Sequence, residues 1–215
     1  MLDAAEGLFV QRGYYGVSLR DISREAGVQV ALCYYHFGAK EDLFRAVIDR
    51  RSSANVQGLA DALQAVQQQP AADLETRLQN VLRAFLKPIV EKSLRGGEGW
   101  RNYVRLLAQV AQLPQEETFL RPATDQSDAV VMLFIDELRK ILPAMSAEDL
   151  HWSFYFYQAA ITHVLVESGI VDRQSQGLCK ASDLDTIVEK MTRFFSAGFL
   201  AMSSVITEPA LKAGY

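Results

Sequence analysis

Hydrophobic side chains recur along most of this chain at the three- and four-residue spacing of amphipathic helices, without the alternation typical of strands. In the opening stretch, Leu2, Ala5, Leu8 and Phe9 form one apolar stripe, and Gly13 is expected to end the helix. The pattern therefore predicts an all-α fold.

Two short helices and a long one are predicted next. Ser18 stands at the position of a helix N-cap, and Asp21, three residues later, is placed to complete a capping box. Gly27 is expected to end this helix, because the following turn requires a positive φ. The second short helix is predicted from about Val30 to His36, and the long helix opens at Glu41.

The remainder of the chain predicts a helical bundle. Amphipathic helices are expected near residues 54–68, 72–93, 100–112, 125–142, 148–168 and 184–204. Four of the prolines fall between these segments or just inside their ends, whereas Pro88 lies within a helical pattern and is expected to kink it.

Composition is that of an ordinary globular protein, with 49% hydrophobic and 22% charged residues in a chain of 215. No apolar run reaches the ~18 residues needed to cross a bilayer, so we expect a cytoplasmic protein without a membrane partner. The two cysteines, Cys33 and Cys179, are too few for a disulfide framework or a metal cluster. Cys33 is interpreted as a small core residue in preference to a redox sensor.

Charge is distributed unevenly along the chain. The net charge is −4, but residues 1–51 contain seven basic and seven acidic side chains, so the whole excess of acid lies in the remainder. A neutral N-terminal part binds nucleic acid only if its cations cluster on one face. Evidence for nucleic-acid binding must therefore come from the spacing of residues in a motif, because the net charge does not provide it.

That motif is the stretch of residues 17–44, VSLRDISREAGVQVALCYYHFGAKEDLF, which predicts a helix-turn-helix. The small Ser23, four positions before Gly27, allows the two helices to cross closely. With Cys33 pointing inward, the second helix leaves a row of side chains to face a DNA groove or its walls. This row is Gln29, Val30, Ala31, Leu32, Tyr34 and Tyr35.

The sequences LFVQRGYYGVSLRDISREAGV and YYHFGAKEDLF resemble the amino-terminal domain of the tetracycline-repressor (TetR) family. The resemblance implies an N-terminal three-helix DNA-binding domain over residues 1–48, and a C-terminal helical bundle for effector binding and dimerisation over residues 49–215. It implies a homodimeric repressor that a small hydrophobic effector, aromatic or acyl, releases from a double-stranded DNA operator. The C-terminal part resembles the family only in its helical pattern and length.

The resemblance also assigns DNA contacts by position. Ser18 is expected to cap the second helix and meet a phosphate, and Arg20 to reach a phosphate or a guanine edge. Gln29 is the one clear reader of a base edge. The recognition helix lacks the serine or threonine common in relatives, so Val30, Ala31 and Leu32 are left to contact thymine methyls or respond to DNA shape. Backbone contacts are assigned to Tyr34, Tyr35, His36 and Lys40.

Two features of this region allow a second interpretation. An isolated Tyr-Tyr-His-Phe run is more typical of a protein core, but its place between Gly27 and Lys40 favours DNA contact. Relatives usually carry a basic stub before the first helix. Either those phosphate contacts are missing here or the sequence is a trimmed one.

The last two long helices combine apolar and small residues, which favours a dimer seam over packing within one chain. The predicted seam residues are Ala160, Ile161, Leu165, Phe194, Phe195, Gly198 and Ala201. The resemblance further implies an effector cavity between the middle helices. Its predicted lining consists of Trp100, Tyr103, Phe119, Phe134, Phe154, Tyr157 and His163.

An enzyme is disfavoured, because no nucleophile elbow, zinc-protease motif or nucleotide loop occurs. We expect no metal and no cofactor. The alternative is a DNA-binding regulator without a small-molecule effector, gated by a protein partner. An apolar cavity of several hundred Å3 favours the effector, and a solid core favours the alternative.

Overall fold

The computed structural model describes residues 1–70, 73–111, 121–166 and 169–204, and all regular secondary structure in those residues is helical. The all-α prediction is confirmed. The helices are α1 Leu2–Arg12, α2 Leu19–Glu25, α3 Val30–Phe37, α4 Lys40–Gln67, α5 Leu74–Arg95, α6 Glu98–Val110, α7 Arg121–Ile141, α8 Ala147–Leu165, α9 Ile170–Gln174 and α10 Leu184–Ser204. In the described part of the chain, no helix has the length and apolar character that crossing a membrane requires.

Helix α4 differs from the sequence prediction, because it is one helix of 28 residues in place of two. The apolar pattern is interrupted at Ser52 and Asn55, which are polar yet buried. Both side chains form hydrogen bonds with the buried hydroxyl of Tyr103 on α6. Polar residues thus occupy the inner face of a continuous helix, and the predicted domain boundary at residue 48 falls inside α4.

One other difference is smaller. The short helix α9 was not predicted, because five residues are too few for a periodic apolar pattern. Pro88 lies inside a helix, as predicted, because α5 runs from Leu74 to Arg95.

The N-terminal three helices pack on the first half of α4 around an aromatic centre. The rings of Phe9 and Phe44 meet edge to face with centroids 4.8 Å apart, and Tyr14 contacts Phe44 at 5.1 Å. Ile22 and Cys33 are fully buried beside them. These contacts join α1, α2 and α3 to α4 as one small core.

In the remainder of the chain, α5 lies at the centre and packs against α4, α6, α7, α8 and α10. Its Phe85 contacts Phe134 and Phe154 with ring centroids 4.9 and 5.0 Å apart. The buried Tyr157 donates a hydrogen bond of 2.8 Å to the carbonyl oxygen of Leu82. Burial raises the pKa of the Tyr157 phenol well above its usual value, so this donor stays protonated.

A buried carboxylate joins the N-terminal helices to the rest of the chain. Glu6 on α1 is 4% exposed. Its carboxylate accepts from the guanidinium of Arg51 on α4 at 2.5 Å and from the amide of Asn102 on α6 at 3.3 Å. Arg50 lies 3.7 Å away. A Cβ at Gly99 would overlap the Arg51 guanidinium, so the glycine gives that side chain its room beside α6.

We predict that Glu6→Gln destabilises the protein by about 2 kcal/mol, because Arg51, only 18% exposed, then loses its buried counterion. Asp3→Asn is the matched control. Asp3 also pairs with Arg50, at 2.8 Å, but its side chain is 89% exposed, so its loss should change stability by less than about 0.5 kcal/mol. Urea unfolding at one protein concentration measures the loss of stability in both variants, and equal losses would contradict a structural role for the buried ion pair of Glu6 with Arg51.

Candidate nucleic-acid interface

The helix-turn-helix predicted from the sequence is present in α2 and α3. Ser18 caps α2, and with Asp21 it forms the predicted capping box. Gly27, in the turn, has a φ of +66°, the left-handed region that favours glycine. The buried Ser23 donates to the carbonyl oxygen of Arg20 at 2.9 Å. Local hydrogen bonds and one glycine therefore set the angle between the two helices.

Helix α3 is mounted on α2 and α4 through one side only. Cys33 is its fully buried side chain, as predicted, and Val30 and Phe37 pack partly against the same core. The other predicted contact residues on this segment are exposed: Gln29, Ala31, Leu32, Tyr34, Tyr35 and His36. Tyr35 projects furthest, with 82% of its surface exposed. The amide of Gln29 makes no capping hydrogen bond at the start of the helix.

The donors of Ser18 are already engaged. Its backbone N–H and its hydroxyl both donate to the Asp21 carboxylate, and these bonds lower the pKa of Asp21. A phosphate at Ser18 would have to take the place of that carboxylate. Arg20 is exposed in the first turn of α2. Arg24, in contrast, pairs with Asp21 at 2.6 Å.

Lys40 also has partners within the chain. Its ammonium donates to the carbonyl oxygen of Tyr14 at 3.1 Å and lies 4.1 Å from the centre of the Tyr14 ring. The Tyr14 hydroxyl in turn donates to Glu41 at 2.9 Å. Lys40 remains partly exposed. It therefore fixes the loop after α1 to the start of α4, beside the exposed side of α3.

A cavity of about 270 Å3 lies between α4, α5, α6, α7 and α8. Its wall is mainly apolar, and its polar positions include Asn55, Gln158 and Thr162. The apolar lining includes Leu59, Phe85, Ile89, Val104, Leu107 and Ile161. The volume is close to the lower end of the range for small-molecule sites.

The aromatic residues predicted to line a cavity lie elsewhere. Phe134, Phe154 and Tyr157 are buried in the core around Phe85, and Tyr103 is buried against α4. Trp100 packs on Tyr103, with the ammonium of Lys92 at 4.6 Å from its ring. His163 is exposed, and Phe119 lies outside the described residues.

Helices α8 and α10 pack against each other, and each exposes a stripe of apolar or small residues. We call these two stripes the α8–α10 face: Trp152, Tyr155, Phe156 and Ala159 on α8, and Phe194, Ala197, Gly198, Ala201 and Met202 on α10.

The predicted seam residues divide between this face and the interior. Phe194 is 74% exposed, and Gly198 and Ala201 are exposed beside it. Ala160 and Phe195 are partly buried. Ile161 and Leu165 are buried and line the cavity.

Comparison with protein families gives two matches. Residues 1–47 match the model of bacterial regulatory proteins of the tetR family, and residues 83–198 match that of the tetracyclin repressor-like C-terminal domain. The second match alone covers more than half of the chain. The chain belongs to the TetR family. Members of this family are transcriptional regulators and not enzymes.

Individual relatives agree with this assignment. The HTH-type transcriptional activator FasR of Mycolicibacterium smegmatis is 34% identical over 85 residues, which cover 40% of this chain and 36% of FasR. The chain spans less than half the length of the first curated relatives that it matches.

Solved structures share the fold. A TetR-family regulator from Bordetella parapertussis has a TM-score of 0.61 at 18% identity, with 93% of this chain and 94% of that chain covered. The fatty acid degradation regulator FadR from Bacillus halodurans has a TM-score of 0.56 at 18% identity, over 92% and 93%.

Some residues of this TetR-family chain were missed by the sequence analysis. Tyr15 is exposed beside Tyr14 at the edge of the helix-turn-helix, and only the doubled tyrosine marks it in the sequence. Asn55, Gln158 and Thr162 were missed because single polar residues on a helix do not indicate a cavity.

We predict that Gly27→Ala destabilises the protein by about 1 kcal/mol, because a φ of +66° strains any residue with a Cβ. Gly7→Ala is the matched control. An added Cβ meets nothing within 4 Å at either position, but Gly7 lies inside α1, where alanine should stabilise by about 0.5 kcal/mol. Chemical unfolding measures the change in the free energy of unfolding for each variant. A change of the same sign in both would contradict the requirement for glycine in the turn.

Proposed function

We propose that this TetR-family regulator is a homodimeric repressor, released from its DNA operator by a small hydrophobic effector. In this proposal, residues 1–48 bind DNA, and residues 49–215 dimerise and hold the effector. The observation that carries it is the exposed side of α3, on which Gln29, Tyr34 and Tyr35 face away from the protein. The family match over residues 1–47 supports assigning this side to DNA.

The roles on this surface follow from chemistry and position. Gln29 begins α3, the end of a recognition helix that meets base edges, and its amide suits adenine. Ala31 and Leu32 offer only apolar contact, and the partly buried Val30 is further from the groove. Hydroxyl, imidazole and ammonium groups of Tyr34, Tyr35, His36 and Lys40 hold phosphates, as does Arg20 at the start of α2. Ser18 does so only where a phosphate replaces the Asp21 carboxylate as acceptor of its two hydrogen bonds.

Electrostatics favour the action of two heads together, where the head is the unit formed by α1, α2, α3 and the first half of α4. Several arginines of the head are engaged in ion pairs: Arg24 with Asp21, Arg45 with Asp42, and Arg50 with Asp3. Each head therefore brings few cations to the DNA, and its affinity alone is low. A two-fold dimer raises the affinity, because it presents two recognition helices to the DNA about one turn of the duplex, ~34 Å, apart.

The α8–α10 face supplies the contact for that dimer. Monomeric proteins rarely expose a large contiguous apolar patch, and Trp152, Tyr155, Phe156 and Phe194 are all exposed here. Small residues beside them on α10 allow helices of two copies to approach closely.

The cavity supplies the effector site, which favours a small molecule over the alternative with a solid core. Helix α6 links it to the head. Leu107 and Ala108 of α6 line the cavity. The next residue, Gln109, donates a side-chain hydrogen bond of 3.1 Å to the carbonyl oxygen of Val10 on α1. An effector that favours one position of α6 thus changes the orientation of the heads and lowers DNA affinity by its differential affinity for the two forms.

We predict that Gln29→Ala relaxes base preference at one position by about 1–3 kcal/mol, because only the amide of Gln29 reads a base edge. Tyr35→Phe should weaken all duplexes alike by about 1 kcal/mol, since it removes a phosphate contact. Selection from a random DNA pool followed by fluorescence anisotropy separates the two effects. Gln64→Ala, on the distant part of α4, is the control. Loss of base preference in Tyr35→Phe would contradict these roles.

We predict that Phe194→Asp converts the dimer to a monomer, because the change buries an unpaired charge in the interface. Light scattering measures the mass. Leu133→Asp is the control, since Leu133 is a similarly exposed apolar residue on α7, outside the α8–α10 face. A dimer that survives Phe194→Asp, or one that Leu133→Asp dissociates, would argue against this interface.

We predict that Ala108→Leu occupies part of the cavity and weakens binding of a small apolar probe, N-phenyl-1-naphthylamine. Ala65→Leu, an exposed change on α4, should leave probe fluorescence unchanged. Anisotropy with labelled operator checks DNA binding in parallel. Probe binding that is equal in both variants would place the probe outside this cavity.

A further inference from the structure

The segment between α8 and α10 ends in an exposed apolar tip. Leu178 is 88% exposed, beside the exposed Cys179 and Lys180. The tip is held in a defined shape, because the backbone N–H of Cys179 donates to the hydroxyl of Ser175 and that of Ala181 donates to the carboxylate of Asp172. We call residues 177–180 the tip. Leu178 borders a depression that Val171 and Ile187 of the same chain also line, yet most of its side chain is left uncovered.

The tip stands on the same side of the protein as the α8–α10 face. It borders a depression that is also lined by His163 of α8 and Lys190 of α10. His163 follows Phe156 and Ala159 along the α8 stripe by seven and four residues, and Lys190 precedes Phe194 by four. The tip therefore rises beside one end of that face.

A groove lies at the other end of the α8 stripe. It runs between α7 and α8 and is lined by residues that include Met132, His151, Trp152 and Tyr155. Its floor adjoins the effector cavity, because Val131 and Gln158 line both. We call it the outer groove.

Symmetry brings the tip and the groove together. A two-fold interface is self-complementary, so a feature that protrudes from it must meet a recess on the other copy. Two α8 helices that cross about a two-fold axis near Phe156 and Ala159 run antiparallel. The end of α8 next to the tip of one protomer then lies beside the start of α8, with Trp152, of its partner.

On these grounds we propose that the tip of each protomer inserts into the outer groove of its partner, where Leu178 packs on the contacting rings of Trp152 and Tyr155 and covers the outer side of the effector cavity. The inference rests on the homodimer proposed above. Charge agrees with it, since Lys180 of the tip keeps 59% of its side chain exposed although its ammonium lies 4.0 Å from Asp172 of its own chain, and Glu148 lines the groove. The effector site is then incomplete in one chain, and the second copy contributes Leu178 to it.

Disulfide trapping tests this arrangement with a natural cysteine. Cys179 is exposed at the tip and Cys33 is buried. A cysteine in the outer groove should lie within the ~7 Å between Cα atoms that a disulfide allows. We expect His151→Cys or Tyr155→Cys to give a covalent dimer under mild oxidation, seen by non-reducing electrophoresis. The wild type should give none, because the two tips lie at opposite ends of the interface.

Cys179→Ser in the His151→Cys background should abolish the covalent dimer, and Arg139→Cys, on the side of α7 that faces α4, should not form one. Circular dichroism shows whether each variant is folded, and light scattering gives its mass. A dimer that forms no cross-link at either position overturns the tip proposal and leaves the homodimer intact. A monomer overturns both.

Discussion

The structure depends on one constraint: helix α3 is attached to the protein through a single buried side, which leaves its other faces exposed. Cys33 is fully buried between α2 and α4, while the remaining faces of this eight-residue helix carry Gln29, Tyr34 and Tyr35 outward. The helix buries little and therefore depends on its neighbours for stability. Gly27, the capping box of α2 and the Phe9–Phe44 contact hold it in place. A DNA-binding role requires such a helix, rigidly mounted and largely uncovered.

Helices α1, α4 and α6 connect this head to the cavity of the helical bundle, the proposed effector site. The buried Glu6 joins all three, through Arg51 on α4 and Asn102 on α6. The same α4 contributes Asn55 to the cavity wall, and Asn55 also forms a hydrogen bond with Tyr103 on α6. Burial raises the pKa of Tyr103 to about 12, so its phenol stays neutral and hydrogen-bonded at physiological pH. Polar contacts of this kind have few alternative arrangements, which suits a coupling between two positions of α6.

The sequence predicted the head better than the remainder, for a physical reason. Gly27, Ser18 and Cys33 each have a local signature, and the structure places all three in the predicted conformation or environment. Apolar periodicity in the bundle shows that a face is buried but not what covers it. Ile161 and Leu165 were therefore predicted at the dimer seam, although they line the cavity. The continuity of α4 was missed because Ser52 and Asn55 are polar residues on a buried face.

The central claim is that the exposed side of α3 lies against DNA. Hydroxyl-radical footprinting of the protein, with and without a duplex obtained by selection, tests it directly, because tyrosine, leucine and histidine side chains all report their exposure. The account predicts that bound DNA protects Leu32, Tyr34, Tyr35 and His36, and leaves Tyr155 and Phe194 unchanged. Unaltered labelling of α3 in a saturated complex would contradict it.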